Sequence, residues 1–570
     1  GLRTRIGIID SGCGNNLSSG NHPDLDGQLS HFLTYSGSPG FDYVGHGTHI
    51  AGIIAGTTTS RVIGPMGYFK GAGAAPGSKL AISDALIALP FPPSTGFQGM
   101  IQDIASTGTH LCNNSWNDGE GSGIGYHPNC AIWDSAVRNT DIGYSGEWPI
   151  SIVFSAGNRG PGPQTITSPK EAKNIITVGA LGNYLTGSPD EPIDLSSRGP
   201  CIDGRIAPLI AAPGEEVIST WPETDFSSGS GTSSAAAHAT GVLALMKEWW
   251  DERLTHPVSP AMLKGIAVLS TDIITEQIPD PAVGWGRINF SQFQPLYPSG
   301  QKFDRGYVFT APGERWTARL ITQDLHKPVD IVLCWTDPPA SPGATPALVN
   351  NLDLICYNNG QQYWGNNFAG VFSESSALPD NLNNLERIRL ETPERSMNLD
   401  VMATSLMGDG VPENSILLDQ DFALVVKNAY LVTESPGIHL EKLKYGKSGP
   451  VEFIVTDNSE PPPTTLTVEA TSFFANDSLN IQCSPLYDNS GVYSAGFELT
   501  DHEPGLVTED SDIVVLRFPN SVETQEKTLL VDAVKPDFLK ITFMDVNATS
   551  ADLLIETTEF SYCTVKYRKV

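Results

Sequence analysis

The chain has 570 residues, which is more than one hydrophobic core can serve, so we expect about two to four domains. Its 34 basic and 64 acidic side chains give a formal net charge of −30, which argues against nucleic acid or an anionic membrane as a partner. Charged residues make up only 17% of the chain, and the sequence contains no apolar run of about 18 residues. The composition therefore indicates a folded protein without a membrane-spanning helix.

The first predicted element is a buried strand over residues 5–9, which ends at Asp10. In open parallel α/β sheets, the carboxyl end of a strand is where sites are assembled. Residues 46–52, His-Gly-Thr-His-Ile-Ala-Gly, predict a helix of small residues that begins at His46. Each residue taken alone also has a structural explanation, since Asp10 can cap a turn and His46 can pack in a core.

Two later segments add polar groups at comparable places. Residues 152–160 predict a strand that runs into a glycine-rich loop with the amide of Asn158 at its tip. Residues 231–241, Gly-Thr-Ser-Ser-Ala-Ala-Ala-His-Ala-Thr-Gly, predict a turn that delivers Ser233 to the start of an alanine-rich helix. A helix N-terminus has unpaired backbone N–H groups and a partial positive charge, which suit a developing oxyanion. The same segment is also an ordinary capped helix start.

Together the four residues supply a hydroxyl nucleophile, a base, an acid that orients the base, and an oxyanion donor. In this order, with the motifs Ile-Asp-Ser-Gly, His-Gly-Thr-His, Ala-Gly-Asn and Gly-Thr-Ser, the chain resembles the subtilases, subtilisin-like serine peptidases, over residues 1–290. The resemblance implies a parallel-sheet α/β domain in which Asp10, His46 and Ser233 form the catalytic triad. It also implies that Asn158 belongs to the oxyanion hole and that no cofactor takes part in the chemistry.

The resemblance further implies a primary substrate pocket. Its walls would be formed by Ser115, Trp116 and Asn117 on one side and by Ser155, Ala156 and Gly157 on the other. Asn117 replaces a family glycine, so we expect it to narrow the pocket or to add a polar group. Arg159 would stand near the rim and favour an acidic or neutral substrate residue over lysine; alternatively it is a solvated surface arginine.

Two positions beside the nucleophile differ from the usual family pattern. Ser234 stands where subtilisins usually have methionine, and since a serine cannot be oxidised to a sulfoxide, we expect activity to persist in peroxide. Ala237 replaces a proline, and His238 is interpreted as structural.

Residues after 298 change to short alternating runs that are typical of β-sandwiches. The segments at Trp335, Val349 and Gly365 resemble the jelly-roll domain that follows the catalytic domain in oxidatively stable alkaline proteases, and this branch carries calcium. We expect structural calcium, bound by some of the following oxygen ligands, although Asn and Asp are also ordinary turn residues: Asp337, Asp353, Asn367, Asp380, Asn383, Asn384 and Glu386. A weaker candidate set is Asp190, Glu191 and Asp194.

The predicted organisation is α/β followed by two all-β domains. The limits are 1–298 for the peptidase domain, 299–457 for the jelly roll, 458–465 for a proline-rich linker, and 466–570 for a β-sandwich of unknown role. No motif in the last region indicates whether it binds a glycan or a protein, or has a structural role only.

We expect a secreted, monomeric enzyme whose signal and inhibitory prosegment were removed upstream of Gly1. The even number of cysteines suggests disulfides, with Cys13–Cys201, Cys112–Cys130, Cys334–Cys356 and Cys483–Cys563 as guessed pairs. Glycosylation sequons occur at Asn16, Asn113, Asn289, Asn476 and Asn547.

The predicted function is therefore that of a secreted serine endopeptidase that cleaves proteins through an acyl-enzyme. One alternative is a kexin-like processing protease, although such enzymes usually have arginine where this chain has His49. A sedolisin would need glutamate in place of His46 and aspartate in place of Asn158. The alternative of a different class is a non-catalytic binding protein on a peptidase scaffold.

Overall fold

The computed structural model describes residues 4–557 with internal gaps. The gaps are residues 15–21, 38–40, 65–66, 89–90, 141–147, 252–256, 294–301, 376–377, 413, 434–436, 441–443, 446–447, 458, 460–461, 473–474, 489, 501–504, 509–511, 520–523, 532–537 and 545–551. The described part divides into two compact units, residues 1–434 and 435–570. No helix in the described part is long and apolar enough to cross a membrane.

The helices are concentrated in the first half of the chain. They are α1 (His46–Ala55), α2 (Gly96–Ser106), α3 (Pro128–Arg138), α4 (Thr232–Asp251), α5 (Pro260–Leu269) and α6 (Phe290–Phe293), with 3-10 turns at Pro23–Leu25 and Ala85–Ile87.

The strands continue to the end of the described chain. In the first half they are β1 (Arg5–Ile9), β2 (Leu29–Leu33), β3 (Lys79–Ser83), β4 (Leu111–Asn114), β5 (Ser151–Ser155), β6 (Ile176–Leu181), β7 (Ile210–Pro213), β8 (Val217–Thr220), β9 (Phe226–Gly229), β10 (Thr271–Asp272) and β11 (Arg287–Ile288). Next come β12 (Lys302–Phe309), β13 (Arg315–Thr322), β14 (Val329–Cys334), β15 (Asn351–Asn358), β16 (Gln361–Trp364), β17 (Phe368–Ala369), β18 (Phe372–Ser373), β19 (Leu385–Leu390), β20 (Ser396–Ser405), β21 (Gln420–Lys427) and β22 (Ala429–Val432). The remainder are β23 (Gly437–Leu440), β24 (Lys444–Tyr445), β25 (Gly449–Thr456), β26 (Leu466–Ser472), β27 (Ser478–Pro485), β28 (Val492–Thr500), β29 (Leu506–Val507), β30 (Ile513–Pro519), β31 (Thr524–Val531), β32 (Phe538–Met544) and β33 (Asp552–Thr557).

The α/β part is built on one sheet with strand order β10-β11-β7-β6-β5-β4-β1-β3-β2, in which every pairing except β10–β11 is parallel. Helices cover both faces: Ile6 and Ile8 of β1 belong to the core cluster of α1 and α4, whereas Ile9 belongs to that of α2 and α3. Burial on both faces explains why these strands are continuous apolar runs. The predicted parallel-sheet α/β fold is confirmed.

The part that follows is antiparallel. One sheet has the order β12-β21-β14-β19 and the other β16-β15-β20-β13-β22. Leu333 of β14 shares a core cluster with Leu354 and Val401 of the second sheet. Its neighbours Val332 and Cys334 belong instead to the core of the α/β part, where Gly265 of α5 lies against Val332. The first sheet is therefore buried on both faces. The jelly-roll connectivity and the predicted domain limits stay predictions.

The second unit, residues 435–570, has its own core of mostly antiparallel strands, with parallel pairing of β24 to β31 and of β28 to β29. Its main path is β23-β25-β28-β27-β26-β30-β31-β24, and buried side chains such as Val451, Val468 and Leu516 line its interior. A separate pair, β32–β33, follows.

The guessed disulfides require correction. The described cysteines are free and buried. Cys334 and Cys356 lie in strands of different sheets and in different core clusters, and Cys13 and Cys201 also belong to different clusters. Cys130 in α3 donates to the Pro169 carbonyl instead of bonding to Cys112. Cys483 is free as well, and Cys563 lies outside the described residues. An even count of cysteines therefore says little about which of them meet in the fold.

Two sequons also have a clear outcome. Asn113 is fully buried on β4, so its side chain cannot carry a glycan in the folded protein, whereas Asn476 is exposed. Asn16 and Asn547 lie outside the described residues.

Candidate active site

Three neighbouring parallel strands place the predicted residues at one sheet edge. In the order β5-β4-β1, Asn158 follows β5, Ser115 follows β4 and Asp10 follows β1. The carboxyl ends of parallel strands share an edge, so the topology brings these three side chains to the same side of the sheet.

Asp10 and His46 form a hydrogen-bonded pair there. Asp10 is fully buried, and its Oδ1 accepts from the Ser11 amide at 2.7 Å and from Nδ1 of His46 at 2.7 Å. An ionised carboxylate can only accept, so Nδ1 carries the proton and the neutral ring keeps its lone pair on Nε2. The negative charge of Asp10 raises the pKa of His46, while burial opposes this shift. Asp10 thus orients the imidazole as a base and stabilises its protonated form.

Asp42 supports this pair, and the sequence analysis missed it. Its Oδ1 accepts from the Ser11 hydroxyl at 2.9 Å and from the Gly45 amide at 2.8 Å. Its Oδ2 accepts from the amide and hydroxyl of Thr48 at 2.8 and 2.7 Å. Asp42 therefore ties the loop after β1 to the first turn of α1, and its charge also raises the pKa of His46. Asp42 lies three residues before Gly45, the N-cap of α1, so the usual capping signal does not identify it.

A close backbone contact completes this junction. A Cβ on Gly47 would lie 2.0 Å from the carbonyl oxygen of Gly12, so only glycine lets α1 begin so near the loop after β1. Gly47 therefore allows His46, at the start of α1, to lie close to the loop that carries Asp10.

The amide of Asn158 is oriented by α4. Its Oδ1 accepts from the backbone N–H of Thr232 at 3.0 Å and from the Thr232 hydroxyl at 2.9 Å. Because a backbone N–H can only donate, the atom facing it must be the amide oxygen. The Nδ2 group, on an exposed residue, remains as the donor. The neighbouring Gly157 has φ 112° and donates its amide to the Thr232 hydroxyl at 3.1 Å, which joins the loop to the same helix start.

Ser233 lies half-buried on the first turn of α4. Its hydroxyl donates to the Ser115 carbonyl at 3.2 Å, and the Ser115 hydroxyl donates back to the Ser233 carbonyl at 3.1 Å. Within the described residues, Ser233 and His46 do not hydrogen-bond to each other. Rotation about the Cα–Cβ bond of Ser233 would be needed to turn the hydroxyl from Ser115 towards the imidazole.

The predicted pocket segments differ in what they expose. The Trp116 side chain is buried among aromatic rings, stacked on Phe97 at 5.6 Å between ring centroids, so it belongs to the core and does not face an open pocket. Asn117 is exposed, but its Oδ1 accepts from the Gly119 amide at 3.1 Å and thereby caps a turn. The arrangement leaves the backbone of this segment, more than its large side chain, for substrate contact.

The other segment is Ser155–Gly157. Ser155 and Ala156 are buried, whereas Arg159 beyond them is exposed and donates its amide to the Ser197 hydroxyl at 3.0 Å.

Two further histidines have structural contacts. His238 uses Nδ1 on the Pro213 carbonyl at 2.9 Å, and His49 uses Nε2 on the Val217 carbonyl at 3.0 Å. Burial lowers the pKa of both, which favours the neutral ring.

The residues predicted to bind calcium fall into separate groups. Asp337 is fully buried and paired with Lys173, and it also accepts the amides of Val349 at 3.0 Å and Asn350 at 2.7 Å. Both of its oxygens are therefore occupied, which departs from the calcium prediction.

Asn384 and Asp190 are engaged in a similar way. Oδ1 of Asn384 accepts from Nζ of Lys264 at 3.2 Å, while its Nδ2 group donates to Asn174 and to the Trp335 carbonyl, each at 2.8 Å. Asp190 pairs with Arg287.

Asp353, Asp380 and Glu386 in the antiparallel part interact through their charges, although among the described residues only Glu171, Cys201 and Asp203 bring three His, Cys, Asp or Glu ligand atoms within 4.8 Å of one another. Oδ1 of Asp353 and Oε1 of Glu386 are buried and have no hydrogen-bond partner in the described structure. Burial, and then the charges of Asp380 and Asp353, raise the pKa of Glu386 well above its ordinary value.

The remaining predicted ligands lie around this group. Asp380 accepts from Asn383 at 2.7 Å through its side-chain amide, while Asn367 donates to the Gly365 carbonyl at 2.8 Å. Orphaned carboxylate oxygens and mutual repulsion are what a hard cation would relieve.

Several serine proteases are similar to part of this chain. Serine protease AprX of Bacillus subtilis is 32% identical over 214 residues, which are 35% of this chain and 44% of that protein. The major intracellular serine protease of the same species is 26% identical over 268 residues, 45% of this chain and 73% of that protein. A Dictyostelium discoideum serine protease/ABC transporter B family protein, tagA, is 22% identical over 499 residues, which are 68% of this chain and 28% of that protein.

The chain thus spans less than half the length of AprX, and its similarity to tagA extends beyond the α/β part. The model of the subtilase family, Peptidase S8, matches residues 1–286, which include all four predicted catalytic positions. The chain belongs to the subtilase family of serine proteases.

Proposed function

We propose that the protein is a serine endopeptidase in which Ser233 attacks the peptide carbonyl and forms an acyl-enzyme. The observation that carries the proposal is the Asp10–His46 hydrogen bond at the same sheet edge as Asn158 and the start of α4. It gives a base with a fixed tautomer and an amide donor whose oxygen is already occupied.

The steps follow from these positions. His46 Nε2 takes the proton of the Ser233 hydroxyl once that group has rotated away from Ser115. The Asn158 Nδ2 group and the Ser233 backbone N–H receive the negative charge on the substrate oxygen. His46 then passes the proton to the leaving amine, and water repeats the sequence on the acyl-enzyme.

Labelling with a fluorophosphonate probe tests this function. We expect a single adduct on Ser233, identified by peptide mass spectrometry, and none in Ser233→Ala; casein hydrolysis should fall by about 10⁶-fold, the magnitude known for the subtilisin serine. Ser228→Ala, which alters an exposed serine on β9, is the matched control and should label normally. An unlabelled wild-type protein would instead favour the binding-protein alternative.

Calcium would have a structural role in this proposal. Asp353, Asp380 and Glu386 would hold the ion, since two of their oxygens are buried without partners. The ion would supply positive charge that stabilises the antiparallel part, and it would take no part in peptide hydrolysis.

Finer properties remain proposals of the same kind. Ser234 is buried beside the nucleophile, and Ser234→Met should make activity sensitive to peroxide when compared with the wild type. We also propose that the protein is secreted as a monomer and that a prosegment inhibits it. The described cysteines are free, so disulfides do not support secretion.

A further inference from the structure

Lys170 is a buried lysine without a carboxylate partner. Its side chain is 2% exposed, and Nζ donates to the Thr167 hydroxyl at 2.5 Å. In the described structure no carboxylate lies within ion-pair distance of this ammonium. Burial of a cation without an anion is costly, and here it lowers the pKa of Lys170 to about 7, with the charge of Asp118 as a partial offset.

The other charged groups near Lys170 do not supply the missing anion. A small cavity on one side of Lys170 is also lined by Lys173, Arg205 and Lys264, all of them basic. Lys173 and Arg205 already have carboxylate partners in Asp337 and Asp203. Of these three residues, Lys170 is the one without a carboxylate partner in the described structure.

Thr167 lies where the two predicted walls of the substrate pocket meet. Its amide donates to the Ala156 carbonyl at 3.2 Å, and a Cβ on Gly157 would be 2.5 Å from its hydroxyl oxygen. The next residue, Ser168, accepts the Asp118 amide at 3.4 Å and donates its hydroxyl to the Asp118 carboxylate at 2.6 Å. Residues 167–168 thus connect segment 155–157 with the residue that follows Asn117.

The Thr167 hydroxyl is also left with a proton to donate. Its oxygen accepts from Lys170, and among the described residues none accepts the hydroxyl hydrogen. A hydroxyl that accepts from an ammonium is polarised towards donation. A carboxylate beside Thr167 would satisfy this donor and would also place a negative charge near Lys170.

We propose that Lys170, acting through Thr167, makes the primary pocket select a glutamate or aspartate before the scissile bond. This inference rests on the proposed peptidase function. Arg159, exposed immediately after Asn158, is a second positive charge in the loop that follows β5. The Asp118 carboxylate, which accepts from Asn129 at 2.9 Å and from Ser168, carries a negative charge that opposes an acidic substrate, so the proposal requires the positive charge of Lys170 to outweigh it.

The test compares peptides that differ only in glutamate or glutamine at this residue, together with the cleavage sites in casein found by mass spectrometry. For wild type we expect kcat/KM to be about 10- to 100-fold higher for glutamate, the range for a charge-assisted hydrogen bond, and casein to be cut mainly after acidic residues. Equal rates for the two peptides, or casein sites without acidic enrichment, would overturn the proposal. An enzyme that neither labels at Ser233 nor cleaves casein would instead contradict the peptidase function itself.

Variants assign the selectivity to a residue. Lys170→Met should reduce the glutamate-to-glutamine ratio to near one, and Thr167→Val should lower it in the same direction if Lys170→Met does not fold. Lys327→Met, which removes an exposed lysine of the antiparallel part, should keep the wild-type ratio. If Arg159→Ala removes the preference while Lys170→Met retains it, the rim arginine is responsible and the Lys170 proposal is wrong.

The pH dependence provides a readout that a structural role would not give. The substrate carboxylate stays ionised above pH 6, and titration of His46 affects both peptides alike, so it cancels in the ratio. Because Lys170 has a pKa of about 7, the ratio should be highest below that pH and fall as Lys170 loses its proton. Lys173, Arg205, Lys264 and Asp118 face the same ammonium, and the ratio in Lys170→Met should not change with pH.

Discussion

Two of the regions in which the chain buries carboxylates differ in what faces the oxygens. At the edge of the parallel sheet, Asp42 accepts four hydrogen bonds and Asp10 holds His46. In the antiparallel part, Asp353 and Glu386 each have a buried oxygen without a partner, and the charge of Asp353 raises the pKa of Glu386. Oδ2 of Asp10 is also buried without a partner, but Oδ1 of Asp10 faces the titratable His46, whereas the charges of Asp353 and Asp380 act on another carboxylate, Glu386. Buried acids therefore report on function only together with their partners.

The largest effect is expected from a substitution in the first region. Asp10→Asn should lower kcat by about 10⁴-fold, because an amide does not hold the imidazole with Nδ1 protonated. Initial rates on a chromogenic peptide measure kcat, and near-ultraviolet circular dichroism checks that the fold is kept. Asp324→Asn, at an exposed carboxylate, is the matched control. A rate within tenfold of wild type for Asp10→Asn would mean that Asp10 does not orient the base.

The sequence could predict these catalytic positions because each lies in a short motif next to a strand or helix end. Asp10, His46, Asn158 and Ser233 are fixed by local structure, and the parallel sheet then collects them at one edge. Asp337, in contrast, pairs with Lys173, which is 164 residues away in the chain, and no local motif predicts that pair. Only the tertiary structure shows such pairs. It is also needed to see that Thr167, the partner of Lys170, bonds to Ala156, and that the described cysteines are not paired.

The second-largest effect is expected from breaking the ion pair between Lys173 of the α/β part and Asp337 of the first antiparallel part. Lys173→Met should lower the free energy of unfolding by about 3–5 kcal/mol, because it leaves the buried Asp337 carboxylate without its cation. Urea denaturation followed by tryptophan fluorescence gives this quantity. Lys327→Met, which alters an exposed pair, should change it by less than about 0.5 kcal/mol.

A double variant sharpens the interpretation. Lys173→Met/Asp337→Leu should recover only part of the loss, since the amides of Val349 and Asn350 also lose their acceptor. Full recovery would mean that the ion pair alone matters; an unchanged Lys173→Met would remove Asp337 from the group of carboxylates stabilised by the chain.

The smallest expected effect tests the second region. If Asp353, Asp380 and Glu386 hold calcium, a concentration 100 times the Kd should stabilise the folded protein by about 3 kcal/mol relative to chelator. Differential scanning calorimetry would show this as a higher Tm in calcium. Glu386→Gln should remove most of the difference.

The pH dependence distinguishes a cation site from an ordinary acidic cluster. In chelator, Glu386 has a raised pKa in the folded state, so the folded protein retains a proton that the unfolded chain releases. Stability should therefore fall as the pH rises above the ordinary value of 4.5, until the folded-state pKa is passed. In saturating calcium the carboxylates are deprotonated in the folded protein, as they are in the unfolded chain above about pH 5.5, so this fall in stability with pH should disappear. If stability falls with pH equally in chelator and in calcium, the oxygens of Asp353 and Glu386 are satisfied by protons alone. The two regions would then differ in the pKa of their carboxylates and not in metal binding.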